Sequence, residues 1–227
     1  MGVVSFDLDG TLWDFSPMMD GAIAAAIASL EEREPTLAGR LTVAALHEQR
    51  RLAGLQHEGT LEDLRRVSLH HALIELGRDD RALADWMADE LLQARAEVVV
   101  LHDDVEPAVR RLIDAGHLVG AITNGNFPFG RLALAAHFSF VVHAEEAGGA
   151  KPGPEPFAEA VRLTGGDPAQ WVHVGDELPL DIGGAQAYGM RAVWLNRYGE
   201  ANDGEHVPDA EIVSLDELPG VVAWLLG

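Results

Sequence analysis

From residue 104 to residue 226 the chain alternates short apolar runs with amphipathic stretches, and this alternation limits the possible folds more than any other feature. Helical periodicity is expected at 104–115, 129–136, 155–163 and 181–188, with a last helix at 215–226, and runs of strand length fall at 118–123, 140–143, 171–174 and 191–195. Apolar runs of this kind suit strands covered on both faces, which implies a parallel sheet flanked by helices. One more such run, Val3-Val4-Ser5-Phe6, stands apart near residue 1. Between it and the rest, residues 14–97 have helical periodicity throughout: 18–30, 37–55, a segment opened by Thr60-Leu-Glu-Asp63 in capping-box spacing and running to 76, and 80–96. The expected fold is therefore α/β. A doubly wound, Rossmann-like parallel sheet is built from residues 1–13 and 98–227, with an all-helical insertion at 14–97. The polar stretch 196–208 is expected to be a loop without chemistry.

The 227 residues include 37 Asp and Glu against 16 Lys and Arg, a formal charge of −21, so a surface for polymeric phosphate, and with it nucleic-acid binding, is excluded. Hydrophobic residues make up 48%, enough for a sizeable core. No cysteine is present, which removes disulfides, thiolate metal sites and cysteine nucleophiles together. No apolar run approaches membrane-spanning length and no leader pattern follows Met1, so a soluble cytoplasmic protein without membrane contact is expected. Among the basic residues only Lys151 is lysine, which suggests a site needing a compact ammonium rather than a broad guanidinium.

Ligands of open α/β sheets gather beyond the carboxyl ends of the strands. Those ends carry Asp7-Leu8-Asp9-Gly10-Thr11, Thr123-Asn124-Gly125, and Gly175-Asp176 with Asp181 beyond, while Lys151 precedes the helix that leads into the 171–174 run. Taken singly, these are ordinary turn and cap residues. Their conjunction is not ordinary, since Asp-x-Asp-Gly-Thr arises by chance in a chain of this length on the order of once in several hundred. Two carboxylates ~4 Å apart repel by about 4 kcal/mol at an effective dielectric near 20, so Asp7, Asp9 and Asp176 cannot converge without a cation. An all-oxygen set with no Cys available and no His within the motifs suits Mg²⁺. Mg²⁺ beside a lysine suits a phosphate, whose oxygens the Thr123 hydroxyl, the Asn124 amide and the loop N–H groups can hold, and toward which a carboxylate can act as nucleophile.

These motifs, in this order, resemble those of the haloacid dehalogenase superfamily. Asp7 to Thr11 is similar to its first motif, Thr123 to its second, Lys151 to its third, and Gly175-Asp176 through Asp181 to its fourth; the 14–97 insertion resembles its helical cap domain. The resemblance implies a Mg²⁺-dependent phosphatase acting on a small phosphomonoester, a nucleotide monophosphate or sugar-type phosphate, through an aspartyl-phosphate. Asp7 would be the nucleophile and Asp9 the acid and base. Asp7, the Asp9 carbonyl and Asp176 would be metal ligands, with Asp181 acting through water. Thr123, Asn124 and Lys151 would hold the phosphate. Carbon–halogen hydrolysis, which in this family lacks an Asp at the position of Asp9, is the contrary reading; a sugar phosphomutase and a non-catalytic phospho-ligand-binding protein are the others. Within the cap, His47, Arg50, Arg51, His57, Arg65, Arg66, His70 and His71 are the candidates for contact with the leaving group. Trp13, Asp14 and Phe15 would line the entrance or join the core.

Overall fold

The computed structural model of the chain describes residues 2–202 and 204–227. Met1, which opens the expected 1–13 segment, and Asp203, inside the expected 196–208 loop, lie outside the described residues. The chain divides into two compact units, residues 1–14 with 100–227, and residues 15–99.

The first unit is a parallel sheet. Its strands are β1 (Val3–Phe6), β2 (Leu118–Thr123), β3 (Phe140–His143), β4 (Trp171–Gly175), β5 (Arg191–Leu195) and β6 (Ala210–Ile212), in the order β3-β2-β1-β4-β5-β6. β1 lies at the centre, with Val3 opposite both Leu118 and Trp171. Its four residues are all buried, which is why they are apolar or, for Ser5, hydrogen-bonded. The chain winds outward from β1 to β2 and β3, then returns to the other side of β1 for β4, β5 and β6, so the winding reverses at β1 and opens a crevice at its carboxyl end.

The second unit consists of α1 (Phe15–Arg33), α2 (Val43–Gln56), α3 (Leu61–Glu75) and α4 (Arg81–Val98). Their apolar stripes meet in one cluster that includes Ile23, Leu30, Leu73 and Met87. Side-chain caps start three of these helices: Thr42 accepts from Ala45 N, Asp80 from Leu83 N, and Thr60 forms the expected capping box with Asp63.

In the first unit, α5 (Val105–Asp114) buries Val105, Ala108, Val109 and Leu112 at helical spacing and packs on β2. The short α6 (Ala144–Ala147) follows β3, α7 (Glu155–Thr164) and α8 (Gly184–Tyr188) cover β3 and β5, and α9 (Leu218–Leu226) lies on β4. No helix among the described residues is long and apolar enough to cross a membrane.

Several expected elements differ. The helix expected at 37–55 begins only at Val43, because Gly39 turns the chain at φ +69° and Thr42 supplies the cap. The 129–136 helix is two short 3₁₀ segments, Phe129–Arg131 and Ala133–His137, and the 181–188 helix begins as a wide π-type turn at Leu178–Gly183. β6 and α6 had no counterpart in the sequence reading.

Candidate active site

Lys151 organises the crevice. Its ammonium donates to Asp7 Oδ1 at 2.6 Å, to Asp181 Oδ1 at 2.6 Å and to the Ile122 carbonyl at 2.9 Å, so each of its three N–H bonds has an acceptor. The side chain is 2% exposed, and nothing broader than an ammonium fits among these three oxygens without displacing one. Asp7 follows β1, Asp176 follows β4, and Asp181 sits in the π-type turn beyond. One carboxylate oxygen from each of the three lies within 4.8 Å of the others.

Close approach of backbone makes this convergence possible. Gly10 has φ +92°, and a Cβ there would lie 2.3 Å from Asp176 Oδ2. A Cβ on Gly175 would lie 2.2 Å from the Asp181 carboxyl carbon. The Thr11 hydroxyl donates to Asp176 Oδ1 at 2.8 Å, and the Trp194 indole donates to the Asp176 carbonyl at 2.9 Å.

Electrostatics within the cluster are unbalanced. Burial pushes Asp7 well above the usual carboxylate range; Lys151 opposes that rise while Asp181 and Asp176 add to it. Burial and the charge of Asp181 raise Asp176 to about 6. Asp181, despite its burial, is held below the usual range by Lys151 and the bond from His173. Lys151 is held above its ordinary value, because Asp181 and Asp7 outweigh the cost of burying it. With all three carboxylates ionised against one ammonium, the cluster would carry an excess of two negative charges, the charge of one divalent cation. The donors are all hard oxygens, so the residues fit Mg²⁺.

The other expected site residues are placed as follows. The Asp9 side chain stands apart from the three-carboxylate group; its Oδ1 accepts from the Trp13 indole at 2.9 Å. Thr123, buried at the end of β2, accepts from Gly125 N at 3.0 Å through its hydroxyl oxygen. The Asn124 amide meets the backbone of Lys151: Oδ1 accepts from Lys151 N at 2.7 Å and Nδ2 donates to the Lys151 carbonyl at 3.0 Å. Those two bonds help to hold the backbone of Lys151 in place. Trp13 is fully buried against Phe127, with ring centroids 4.4 Å apart. Asp14 accepts from the Tyr198 hydroxyl, and the guanidinium of Arg50 lies over the ring of Phe15.

Of the candidates in the helical unit, His47 pairs with Asp20, Arg51 with Glu48, His70 with Asp79, and Arg66 with Glu62, Asp85 and Asp89. The rings of His57 and His71 lie 5.4 Å apart, and Arg65 is half-buried.

Two groups escaped the sequence reading. His173 in β4 is fully buried, 2.9 Å from Ser5 Oγ through Nδ1 and 3.3 Å from Asp181 Oδ1 through Nε2. Burial pushes its pKa down; since a carboxylate only accepts, the neutral ring carries its proton on Nε2 and accepts the Ser5 hydroxyl at Nδ1. The other group belongs to the stretch taken as a loop without chemistry. Asn196, Arg197, Tyr198 and Glu200 line a cleft of about 170 Å³ that also borders Gly10 and Asp176. Extending the rule of strand carboxyl ends to β5 finds them, because Asn196 is the first residue beyond it.

A family profile described as haloacid dehalogenase-like hydrolase matches residues 1–189. The glyceraldehyde 3-phosphate phosphatase of Methanopyrus kandleri is 32% identical over 247 aligned positions, covering 98% of this chain and 97% of that protein. The phosphoglycolate phosphatase of Shigella boydii is 30% identical, covering 95% of this chain and 90% of that protein. A solved structure from Pseudomonas syringae pv. Tomato DC3000, described as a 2-haloacid dehalogenase, is 41% identical with a TM-score of 0.84, covering 99% of both chains.

Proposed function

The chain belongs to the haloacid dehalogenase-like hydrolases, as a phosphatase of that family, and we propose that it is a Mg²⁺-dependent enzyme hydrolysing a small phosphorylated metabolite through an aspartyl-phosphate. The observation that carries this reading is the buried ammonium of Lys151 bridging Asp7 and Asp181 beside Asp176, at the point where the sheet reverses its winding.

Asp7, Asp176 and Asp181 would hold the cation, with the Asp9 carbonyl as a further ligand. When bound, the cation supplies positive charge against the transferring phosphoryl group. Lys151 keeps Asp7 Oδ1 in place and adds positive charge to the carboxylate cluster, while Thr123 orients the phosphate oxygens. The Asp7 carboxylate attacks phosphorus, the ester P–O bond breaks, and Asp9 gives its proton to the leaving alcohol oxygen. Asp9 then takes a proton from water, whose oxygen bonds to phosphorus as the bond to Asp7 breaks, and inorganic phosphate leaves. Asn124 acts indirectly, by fixing the backbone from which Lys151 reaches in. The relatives' substrates, glyceraldehyde 3-phosphate and phosphoglycolate, point to short phosphorylated acids and aldehydes, with sugar phosphates and nucleoside monophosphates next.

A second reading, 2-haloacid hydrolysis, is favoured by the description of the Pseudomonas structure. Against it stands Asp9, which a dehalogenase of the resembled kind lacks. The deciding assay follows phosphate release from p-nitrophenyl phosphate, glyceraldehyde 3-phosphate, phosphoglycolate and AMP, and chloride release from 2-chloropropionate, each with Mg²⁺ and with EDTA. Metal-dependent phosphate release is the expected result. Chloride release that persists in EDTA, with no phosphate released, would replace the first reading by the second.

A further inference from the structure

Trp13 has the only polar atom of its side chain on Asp9. The indole donates to Asp9 Oδ1 at 2.9 Å; Gly10 N donates to the Trp13 carbonyl at 2.9 Å, which fixes the backbone, and Phe127 packs on the ring. Phe127 belongs to the loop after β2, the same loop in which Gly125 lies against the other oxygen of Asp9. A methyl group on Gly125 would come within 2.9 Å of Asp9 Oδ2 and 3.4 Å of the Thr123 hydroxyl. The two oxygens of Asp9 are therefore distinguished, Oδ1 toward the indole and Oδ2 toward the Thr123–Gly125 loop. A buried indole commonly seeks an acceptor wherever one is near. This core does not impose that requirement, however, because Trp171 Nε1 is buried without a hydrogen-bond partner among the described residues.

We infer that Trp13 is a positioning residue for proton transfer. Its N–H fixes the rotation of the Asp9 carboxyl group so that Oδ2, facing Thr123 and Gly125, delivers the proton to the leaving oxygen as the ester P–O bond breaks. The inference builds on the phosphatase reading, and its consequence depends on the leaving group. An alkoxide leaves poorly and needs the proton, whereas p-nitrophenolate leaves without it.

The test compares kcat/KM, which reports the steps through phosphoryl transfer, for phosphoglycolate and p-nitrophenyl phosphate. Trp13→Phe keeps a ring against Phe127 and removes the N–H. The expected result is a loss of about tenfold or more on phosphoglycolate and less than about threefold on p-nitrophenyl phosphate. Phe127→Leu, which loosens the packing but keeps the N–H, should leave the ratio of the two substrates unchanged. Equal losses on both substrates in Trp13→Phe, or a changed ratio in Phe127→Leu, would overturn the inference while the phosphatase reading stands. Wild-type protein releasing phosphate from neither ester would overturn that reading first. The bond also has a readout independent of turnover: the ¹⁵N-indole resonance of Trp13, assigned by its loss in Trp13→Phe, should move in Asp9→Ala. An unmoved resonance would show that the indole does not hold Asp9.

Discussion

The buried interior of the helical unit is aliphatic, from Ala22, Ile23 and Leu30 in α1 to Leu73 in α3 and Met87 in α4, and its buried polar residues are Gln49, Ser68 and Arg95. The interior of the α/β unit is equally dense in apolar residues but also encloses Ser5, Asp7, Thr11, Thr123, Lys151, His173, Asp181 and Asn196. Apolar burial is non-directional, so the helical unit can be held largely by volume and pattern, with Arg95 as its buried charge among the described residues. Enclosed charges stabilise only when each has its partner at the right distance, and losing one partner costs about 3–5 kcal/mol. One unit thus depends on how much is buried, the other on where each atom lies. A fold keeps such a demanding interior where chemistry requires it.

The contrast can be broken most severely at Asp7. Asp7→Asn is nearly isosteric and should leave the fold intact, yet turnover should fall by about 10⁴-fold or more because the amide is a poor nucleophile. Activity within tenfold of wild type would end the account of the α/β interior as a reacting centre. Lys151→Arg comes next: charge is conserved, but the guanidinium does not fit among Asp7, Asp181 and Ile122, and a loss of about a hundredfold or more is expected. Steady-state rates near wild type would mean that atomic position matters less there than charge.

In the helical unit the expectation reverses. Leu73→Ala empties a fully buried position, should cost about 2–5 kcal/mol in chemical unfolding, and should leave kcat at 25 °C within about twofold. A large fall in kcat without a loss of stability would show that α3 has more than a packing role.

The smallest effect sharpens the comparison one residue removed from the crevice, where Asp104 holds Arg197, which lines the cleft beside Asp176. Asp104 is held at about 2: burial would raise it, but the Arg197 guanidinium, the Ser214 hydroxyl and the Leu215 N–H outweigh that. Its folded pKa lies below the unfolded value near 4, so the stabilisation is complete above about pH 5 and is lost as the pH falls toward 2. Asp104→Asn should therefore be less stable than wild type by about 1 kcal/mol at pH 6, after allowance for solvent screening, and by less than half of that at pH 2.5. Urea titrations giving the same deficit at both values would show that the effect is not ionic.

Much of this was legible in the chain because two periodicities are clean. Val3–Phe6 and Trp171–Gly175 are unbroken buried runs, and Val105, Ala108, Val109 and Leu112 mark one face of a helix. Asp7, Asp176, Asp181 and Lys151 could be gathered because they follow or precede such elements. Less legible was whatever depends on a partner distant in sequence. The side chain of Asn124 is a good phosphate donor in isolation, and only the structure shows that it also bonds to the backbone of Lys151. His173 lies in a strand and reads as one more buried position until Asp181, from the following turn, meets its Nε2. Three residues with Glu211 in the middle, as in β6, are too short for any alternation to register.

The central place of β1 also bears on how the chain is made. Its first residues pair with Leu118 on one side and Trp171 on the other, so the middle strand of the sheet leaves the ribosome long before either neighbour exists. At about 5–20 residues per second, that delay is on the order of ten to thirty seconds before β4 arrives. The helices of residues 15–99 form a compact unit with its own internal contacts and can assemble in the interval, whereas β1 waits as an unpaired apolar segment. Val3–Phe6 is four residues long, and that brevity limits what a nascent chain has to shield from aggregation while it waits.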